Sequence, residues 1–347
     1  MRETLSDIGE FGLIHRINNL LKQEGLFAEG TVFGIGDDSA AVQPKVGREL
    51  LITCDSVVEG QHFLSSYMNY YDVGRRAMTA NISDIGAMGG QPLYALVSLG
   101  LKSDMNLHDV ENMYRGFLSE LNPFQAAVIG GNITQVKSAT FIDITLIGEI
   151  NKGQTLRRST ACAGDAILVT GFPGEATAGL ELLLHSTQDN IPFDHPLIKA
   201  YVSPTHRAHE GQSIASSGLA TAMIDTSDGL LADLAHICIS SGVGAELNRK
   251  DLPISKNLKE AATSNKKDPY EMCTRDSDDY ELIVTCAPEN VKKIKNMISK
   301  ISDVPITQIG TTSEEIEGFQ WVFPDGTRQQ FTPKGWDHFR TKESYNE

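Results

Sequence analysis

An α/β (α+β) architecture in two domains is what this sequence predicts, on three observations. Segments of strand type alternate with segments of helical period through both halves, the pattern of layered α/β and α+β folds. A polar break at residues 151–155 interrupts that series near the middle. The 347 residues, 40% apolar and 22% charged, suffice for two cores without disulfide or metal staples. We therefore expect one domain over residues 1–150 and a second over 151–347.

The elements follow in order. Ile8, Phe11, Leu13, Ile14, Ile17, Leu20 and Leu21 recur at helical spacing and predict an amphipathic first helix. A strand over 50–54 is expected to stop at Asp55, with a helix over 73–81 and a strand over 94–101. Period predicts a helix over 107–121, then a buried strand over 126–129 and a long β-branched strand over 141–150. After the break come a strand over 166–170, a helix over 175–184, a strand over 222–225 and a helix over 230–240. A strand over 281–286, a helix over 291–298 and strands over 305–310 and 319–323 close the series, and the tail after Phe339 is polar.

Composition narrows the function. The formal charge of −15 comes without a Lys/Arg run, which argues against nucleic acid as a partner. An acidic body repels polyanions, so a phosphate ligand has to arrive with metal or meet a local positive pocket. Cys54, Cys162, Cys238, Cys273 and Cys286 are odd in number and include no C-x-x-C. They argue against a disulfide framework or a zinc site and for a reducing compartment. No apolar h-region opens the chain, and no run nears the ~20 apolar residues of a membrane span. The expectation is a cytoplasmic protein with no membrane partner.

Five acidic clusters fall where predicted strands or helices end: Gly36-Asp37-Asp38, Cys54-Asp55, Ser83-Asp84, Asp225-Thr226-Ser227-Asp228 and Asp276-Ser277-Asp278-Asp279. Carboxylates are the hard oxygen ligands that magnesium takes, bridging one or two of them to substrate phosphates. Glycines beside them (Gly34, Gly36, Gly60, Gly86, Gly229) let the backbone turn sharply near a phosphate. A single loop aspartate is more often a turn or cap residue, and Asp228 and Asp84 each admit that reading. Adjacent carboxylates at repeated element ends tip the balance, because paired anions repel unless a cation or proton lies between them. Several such loops on one surface suit magnesium–nucleotide binding and in-line phosphoryl transfer. There is no G-x-x-x-x-G-K-[ST], no D-F-G and no G-x-S-x-G. Among the histidines, His62 after Glu59-Gly60-Gln61 stands out.

In order, the motifs resemble those of the thiamine-monophosphate kinases, in the superfamily that includes aminoimidazole ribonucleotide synthetase. The matching stretches run nearly the whole chain. They are Gly9-Glu10-Phe11, Gly34-Ile35-Gly36-Asp37-Asp38, Asp55 through Glu59-Gly60-Gln61-His62-Phe63, Asn81-Ile82-Ser83-Asp84 with Ala87-Met88-Gly89, and Gly130-Gly131. They continue with Arg158-Ser159, Gly164-Asp165, Asp225-Thr226-Ser227-Asp228-Gly229-Leu230, Asp279-Tyr280-Glu281-Leu282 and Lys334-Gly335-Trp336-Asp337-His338-Phe339.

The resemblance implies an aminoimidazole ribonucleotide synthetase-like fold, with an N-terminal mixed-sheet domain forming a dimer barrel, a C-terminal α/β domain, and a homodimer. It implies ATP as co-substrate, thiamine monophosphate as acceptor, thiamine diphosphate as product and several Mg2+ ions. Carried over residue by residue, Asp38, Thr53, Asp55, Asp84, Asp225 and Asp228 correspond to magnesium ligands, with Cys54 and Asn132 at two further metal positions. Tyr114, Gly130, Gly131, Arg158 and Ser227 correspond to ATP contacts, and His62, Asp278 and Trp336 to substrate positions. No dedicated general base is expected, because a phosphate oxygen with its second pKa at about 6 is already largely anionic at neutral pH. Metal and positioning are the expected means of bringing two polyanions together.

Three positions depart from the family pattern. Asn132 stands in place of Asp, which removes one negative charge. Cys54 replaces a hydroxyl residue, so metal contact there has to come from its backbone carbonyl. Asp276-Ser277-Asp278 replaces G-G-E, a change that a loop built on positive φ resists. These motivate two alternatives to the kinase: a related ATP-dependent enzyme on another small phosphorylated or carboxylated substrate, and a catalytically weak nucleotide-binding paralogue. Tyr114 and Trp336 read equally as core aromatics.

Overall fold

The computed structural model describes residues 3–25, 28–36, 38–186, 192–314 and 318–336. Asp37, the 337–339 part of the C-terminal motif and the polar tail after Phe339 lie outside the described residues. The chain forms two compact units. One holds the residues up to Thr155 and takes back Val202–Ser216; the other holds Leu156–His185, Pro192–Tyr201 and the residues from Ser217 on.

The first unit contains α1 (Leu5–Glu24), β1 (Thr31–Phe33), β2 (Ala41–Val42), β3 (Arg48–Val58), α2 (Tyr70–Ala87), β4 (Gln91–Leu101), α3 (Leu107–Leu121), β5 (Ala127–Gln135) and β6 (Phe141–Asn151). β3, β6, β4 and β5 lie side by side in that order. β6 runs antiparallel to both its neighbours, and β4 and β5 are parallel, joined by the α3 crossover. Asn69 caps α2, its side chain accepting from the Asp72 amide at 3.0 Å. A stretch of small and apolar residues then buries most of that helix (Val73, Ala77, Met78, Ile82, Ile85) against the sheet and α3. Two glycines permit the close helix pairing: a Cβ on Gly74 would sit 2.1 Å from the Met113 carbonyl, and one on Gly116 would sit 2.2 Å from that of Tyr71.

Next in the chain are β7 (Ala166–Thr170), α4 (Glu175–His185), α5 (Pro196–Val202), α6 (Ala208–Ser217), β8 (Ala220–Asp225), α7 (Leu230–Ser241) and β9 (Gly244–Asn248). They are followed by α8 (Lys256–Ser264), α9 (Pro269–Cys273), β10 (Leu282–Cys286), α10 (Val291–Ile298), β11 (Ile306–Ser313), β12 (Phe319–Val322) and β13 (Arg328–Gln330). Most of α6 belongs to the first unit. The second unit's seven strands run β13-β12-β9-β11-β7-β10-β8, antiparallel throughout except for β12 beside β9. Wholly buried runs such as Ala166–Thr170 and Leu282–Cys286 form its centre, and α7 packs on it through Leu230, Leu234 and Ile237. Among the described residues no helix is long and apolar enough to cross a membrane.

Three expected ends move by four residues or more, the strand expected over 126–129 running on as β5 to Gln135. The strand expected to stop at Asp55 continues to Val58, because ladder pairing with β6 persists through Asp55↔Ile144 to Val58↔Phe141. The helix expected to end at residue 81 continues to Ala87. Asp55 and Asp84 therefore lie inside a strand and a helix instead of in loops.

Candidate active site

In the first unit, Thr53 and Asp55 are two apart on β3 and so project from the same face of the sheet. The last turn of α2 sets Asp84 against them. The Thr53 hydroxyl donates to Asp84 Oδ2, and the Asp55 and Asp84 carboxyls hydrogen-bond to each other. Burial, then the Asp84 charge and that shared hydrogen bond, then the Asp143 charge, push the Asp55 carboxyl up to about 7. The Asp55 amide is itself held by Asn81 Oδ1 at 3.3 Å, and Asn81 is anchored to the Ala77 carbonyl at 3.1 Å. Two half-buried carboxyls hydrogen-bonded to each other beside a hydroxyl form an all-oxygen donor set that a divalent cation fits, the ion taking the place of the bridging proton.

Cys54 projects from the opposite face, where its Sγ lies 3.6 Å from Asp143 Oδ2 and accepts from the Thr145 hydroxyl at 3.5 Å. Its side chain is thus turned away from the acid pair, consistent with the expectation that only its carbonyl serves a metal. Asp38 is exposed in the turn between β1 and β2. That turn reaches β5, since a Cβ on Gly34 would sit 3.3 Å from the Ile129 carbonyl. Register shifts there, and Gly130, Gly131 and Asn132 then pair with Leu96, Val97 and Ser98. A Cβ on Gly131 (φ 154°) would lie 1.9 Å from the Val97 carbonyl, so only glycine lets the two strands meet. Tyr114 is 4% exposed, its ring edge-on to Phe117 at 5.2 Å. That burial weights it toward packing of α3. His62 sits in a tight turn after β3, its Nδ1 accepting from the Val58 amide at 3.1 Å.

In the second unit, Asp225 is the last residue of β8 and 5% exposed. The Thr226 amide bonds the Glu281 carbonyl, and the Tyr280 amide bonds the Thr226 carbonyl. This ties the Asp225–Asp228 segment to the 276–281 segment. Ser227, Asp228 and Gly229 then donate three successive amides to one oxygen, Asp233 Oδ2, at 3.0–3.1 Å. Burial, then the Asp228 charge, push Asp233 up to about 7 against the pull of those amides. Among the described residues, Asp228, Asp233 and His236 are the one group of metal-capable side chains whose donor atoms all lie within 4.8 Å of one another. The Trp336 amide donates to the Asp228 carbonyl at 3.1 Å, which brings the C-terminal motif to the same corner. Trp336, 44% exposed, lines a cavity of about 800 Å3 together with Tyr270, Trp321, Phe331, Arg249 and Asp276. Asp278 is half-buried on the adjoining segment. Arg158 is exposed, its carbonyl held by the Ser241 hydroxyl at 3.0 Å.

The expectation that residues 276–278 resist losing glycines fails. The positive φ in this segment falls at Tyr280 (54°), and none of 276–278 adopts one. Ser277 instead uses its hydroxyl to accept from the Thr177 amide at 3.2 Å, and Asp279 accepts from the Gly174 and Ala176 amides at 2.6 and 2.8 Å.

Within the first unit the structure thus joins Thr53, Asp55 and Asp84. Within the second it joins the Asp225–Asp228 turn, the segment leading to Asp279, and Trp336. Sequence reasoning missed Asp233, whose signal was an acid five residues beyond Asp228 in the first turn of a helix. It also passed over Asp143, which only strand pairing places near Asp55.

Residues 36–150 match the family model described as AIR synthase related protein, N-terminal domain, and residues 163–321 match its C-terminal domain. The chain is 36% identical over 335 residues to the thiamine-monophosphate kinase of Aquifex aeolicus, covering 96% of this chain and 99% of that one. It is 34% identical to that of Salmonella typhimurium, covering 96% and 99%. Among solved structures, thiamine-monophosphate kinase from Stenotrophomonas maltophilia superposes with a TM-score of 0.79 at 31% identity, covering 92% and 97%. AaThiL complexed with AMPPCP and TMP gives 0.75 at 33% identity, covering 98% and 99%.

Proposed function

We propose, from the premise that the chain belongs to the thiamine-monophosphate kinase family of AIR synthase related proteins, that it transfers the γ-phosphoryl group of ATP to thiamine monophosphate. The products are ADP and thiamine diphosphate. One observation carries the reading: the likeness over 98% of the chain to AaThiL in a complex with AMPPCP and TMP.

The site chemistry agrees with it. Asp55, Asp84 and Thr53 offer the oxygen donors that Mg2+ prefers, and Asp38, Asp225, Asp228, Asn132 and the Cys54 carbonyl are the further positions we assign to metal. When bound, magnesium neutralises phosphate charge and polarises the transferred group. The remaining work belongs to this chain. Gly130 and Gly131 keep side chains away from the nucleotide, Ser227 offers a hydroxyl, and Arg158 supplies a fixed positive charge. Tyr114 we keep as an adenine neighbour only through the helix it packs. His62, Asp278 and Trp336 are assigned to the acceptor, with the aromatic wall of the Trp336 cavity suited to a flat heterocycle. The nucleophile is a phosphate oxygen that needs no base near neutral pH.

We further propose that two copies pair through the open face of the four-stranded sheet, in the manner of a dimer barrel. Leu50, Ile52 and Leu96 stand 42%, 67% and 36% exposed on it, an apolar patch that water disfavours. Five free thiols, two of them exposed, support placement in the cytoplasm.

The test is direct. Purified chain with ATP and saturating Mg2+ is expected to form ADP and thiamine diphosphate in equal amounts only when thiamine monophosphate is added. ATP binding without any thiamine diphosphate defeats the reading.

A further inference from the structure

The turn that carries His62 is built around a carboxylate whose part the reaction described above leaves unassigned. Glu59 follows β3 directly, and its backbone amide bonds the Thr140 carbonyl at 2.9 Å. Its carboxylate accepts from the Thr140 amide at 3.0 Å, the Lys102 ammonium at 3.0 Å and the Ser65 hydroxyl at 2.6 Å. One side chain therefore pins both sides of the turn: Ser65 beyond it, and the ends of β4 and β6 beneath it. Inside the turn, Gly60 (φ 86°) reverses the chain, its amide bonding the Phe63 carbonyl at 2.8 Å. The Gln61 and His62 amides both bond the Val58 carbonyl, at 3.1 and 2.9 Å. Phe63, 1% exposed, is the apolar anchor.

The result is an imidazole with a defined proton. The Val58 amide donates to His62 Nδ1. A backbone N–H can only donate, so Nδ1 carries the lone pair and the ring proton sits on Nε2. The side chain thereby offers an N–H donor without needing a positive charge.

We propose that Glu59 is a positioning residue for the acceptor. By clamping the 58–65 turn between Lys102, Thr140 and Ser65, it holds His62 in the Nε2–H tautomer that meets thiamine monophosphate. This rests on the proposed reading in one respect only, the identity of the molecule that His62 meets. The part we assign to Glu59 is exerted through the turn. Its clamp has the features of a strong one: a charge-assisted pair with Lys102, a backbone amide and a hydroxyl on one carboxylate, in a half-buried setting where such bonds count for more. Against burial, which raises it, the same contacts together hold its carboxyl well below the ordinary glutamate range, at about 2, so the clamp stays charged at any working pH.

The experiment reads the ring and the kinetics separately. Long-range proton–nitrogen correlation spectra of the 15N-labelled full chain report the His62 tautomer, the peaks being identified by their loss in His62→Gln. The wild type is expected to show Nε2 protonated and Nδ1 bare. Glu59→Ala is expected to average the two nitrogens and to raise KM for thiamine monophosphate about tenfold or more while leaving KM for ATP unchanged. Glu59→Gln keeps an oxygen for Ser65 and Thr140 but gives Lys102 no anion, so it should fall between the two. If Glu59→Ala does not fold, Glu59→Gln carries the same comparison. A bare Nε2 in the wild type, a His62 spectrum indifferent to Glu59, or equal rises in both KM values overturns the proposal. A wild type that makes no thiamine diphosphate sinks the substrate reading alone, and the ring spectra still decide the part played by Glu59.

Discussion

Asp55→Asn should make the metal-free protein more stable, although it removes a group from the proposed metal site. In the folded chain the Asp55 carboxyl titrates at about 7 against an ordinary 3.8, chiefly through burial and the Asp84 charge beside it. Between those two pH values the folded state holds a proton that the unfolded chain has released, so stability falls as pH rises from about 4 to 7 and stays low above. A gap of about three pH units corresponds to about 4 kcal/mol. Asparagine carries no charge to bury and keeps an amide donor for Asp84. The variant should match the wild type near pH 4 and exceed it by up to about 4 kcal/mol at pH 8, in urea denaturation with chelator present. Added Mg2+ should close most of that difference. The wild type gains about 2.7 kcal/mol at a hundredfold excess over Kd, while the variant, short of one anionic ligand, gains little. Equal stabilities in chelator at pH 8, or equal Mg2+ stabilisation of both proteins, would refute the account of the acid pair.

Three further outcomes are expected. Gly131→Ala places a methyl where only 1.9 Å separates it from the Val97 carbonyl; it should cost a few kcal/mol or abolish folding, and any folded fraction should bind ATP more weakly by calorimetry. Asp279→Ala strips the Gly174 and Ala176 amides of their acceptor. A loss of about 2 kcal/mol in denaturant unfolding is expected, with Asp279→Asn recovering part of it through its amide oxygen. His206 is held down to about 3 by burial first, then by the charges of His209, Arg207 and Arg75. Glu120 Oε2, 3.6 Å away, does not offset this because Glu120 is already paired with Arg75. The folded ring stays neutral while the unfolded one protonates below 6.5. His206 should therefore lower stability by about 1.4 kcal/mol per pH unit from about 6 towards 3, and His206→Gln should remove that slope. An unchanged slope would mean that Glu120 keeps the ring charged.

Long periodic segments were plain in the sequence. The helix Leu107–Leu121 and the strand Ala166–Thr170 run over the residues expected of them. So was the family, from ten ordered motifs. What stayed hidden was set by pairing and burial. Asp55 looks like a strand terminator because Asp disfavours strands, yet β6 continues to pair with the chain past it and a neighbouring carboxyl shares a hydrogen bond with it. Asp84 looked like a helix end for the same reason of propensity. β1 and β2 are two or three residues each, too short for any period to register. The order of the seven strands, and the meeting of Trp336 with Asp228, follow from no local pattern. Asp233 was overlooked because its one mark, an acid in the first turn of a helix, reads as an ordinary helix-start residue.

That aspartate has a consequence for how phosphate is met. In glycine-rich nucleotide loops, successive amides at the start of a helix form a cradle for the anion itself. Here the cradle ahead of α7 is already filled from within, by Asp233. Any phosphate arriving at this corner finds negative charge where other folds present bare N–H groups. On the proposed reading, recognition here passes through cations held among the acids and the fixed charge of Arg158, so ionic composition in the medium weighs more than the protein's own dipoles.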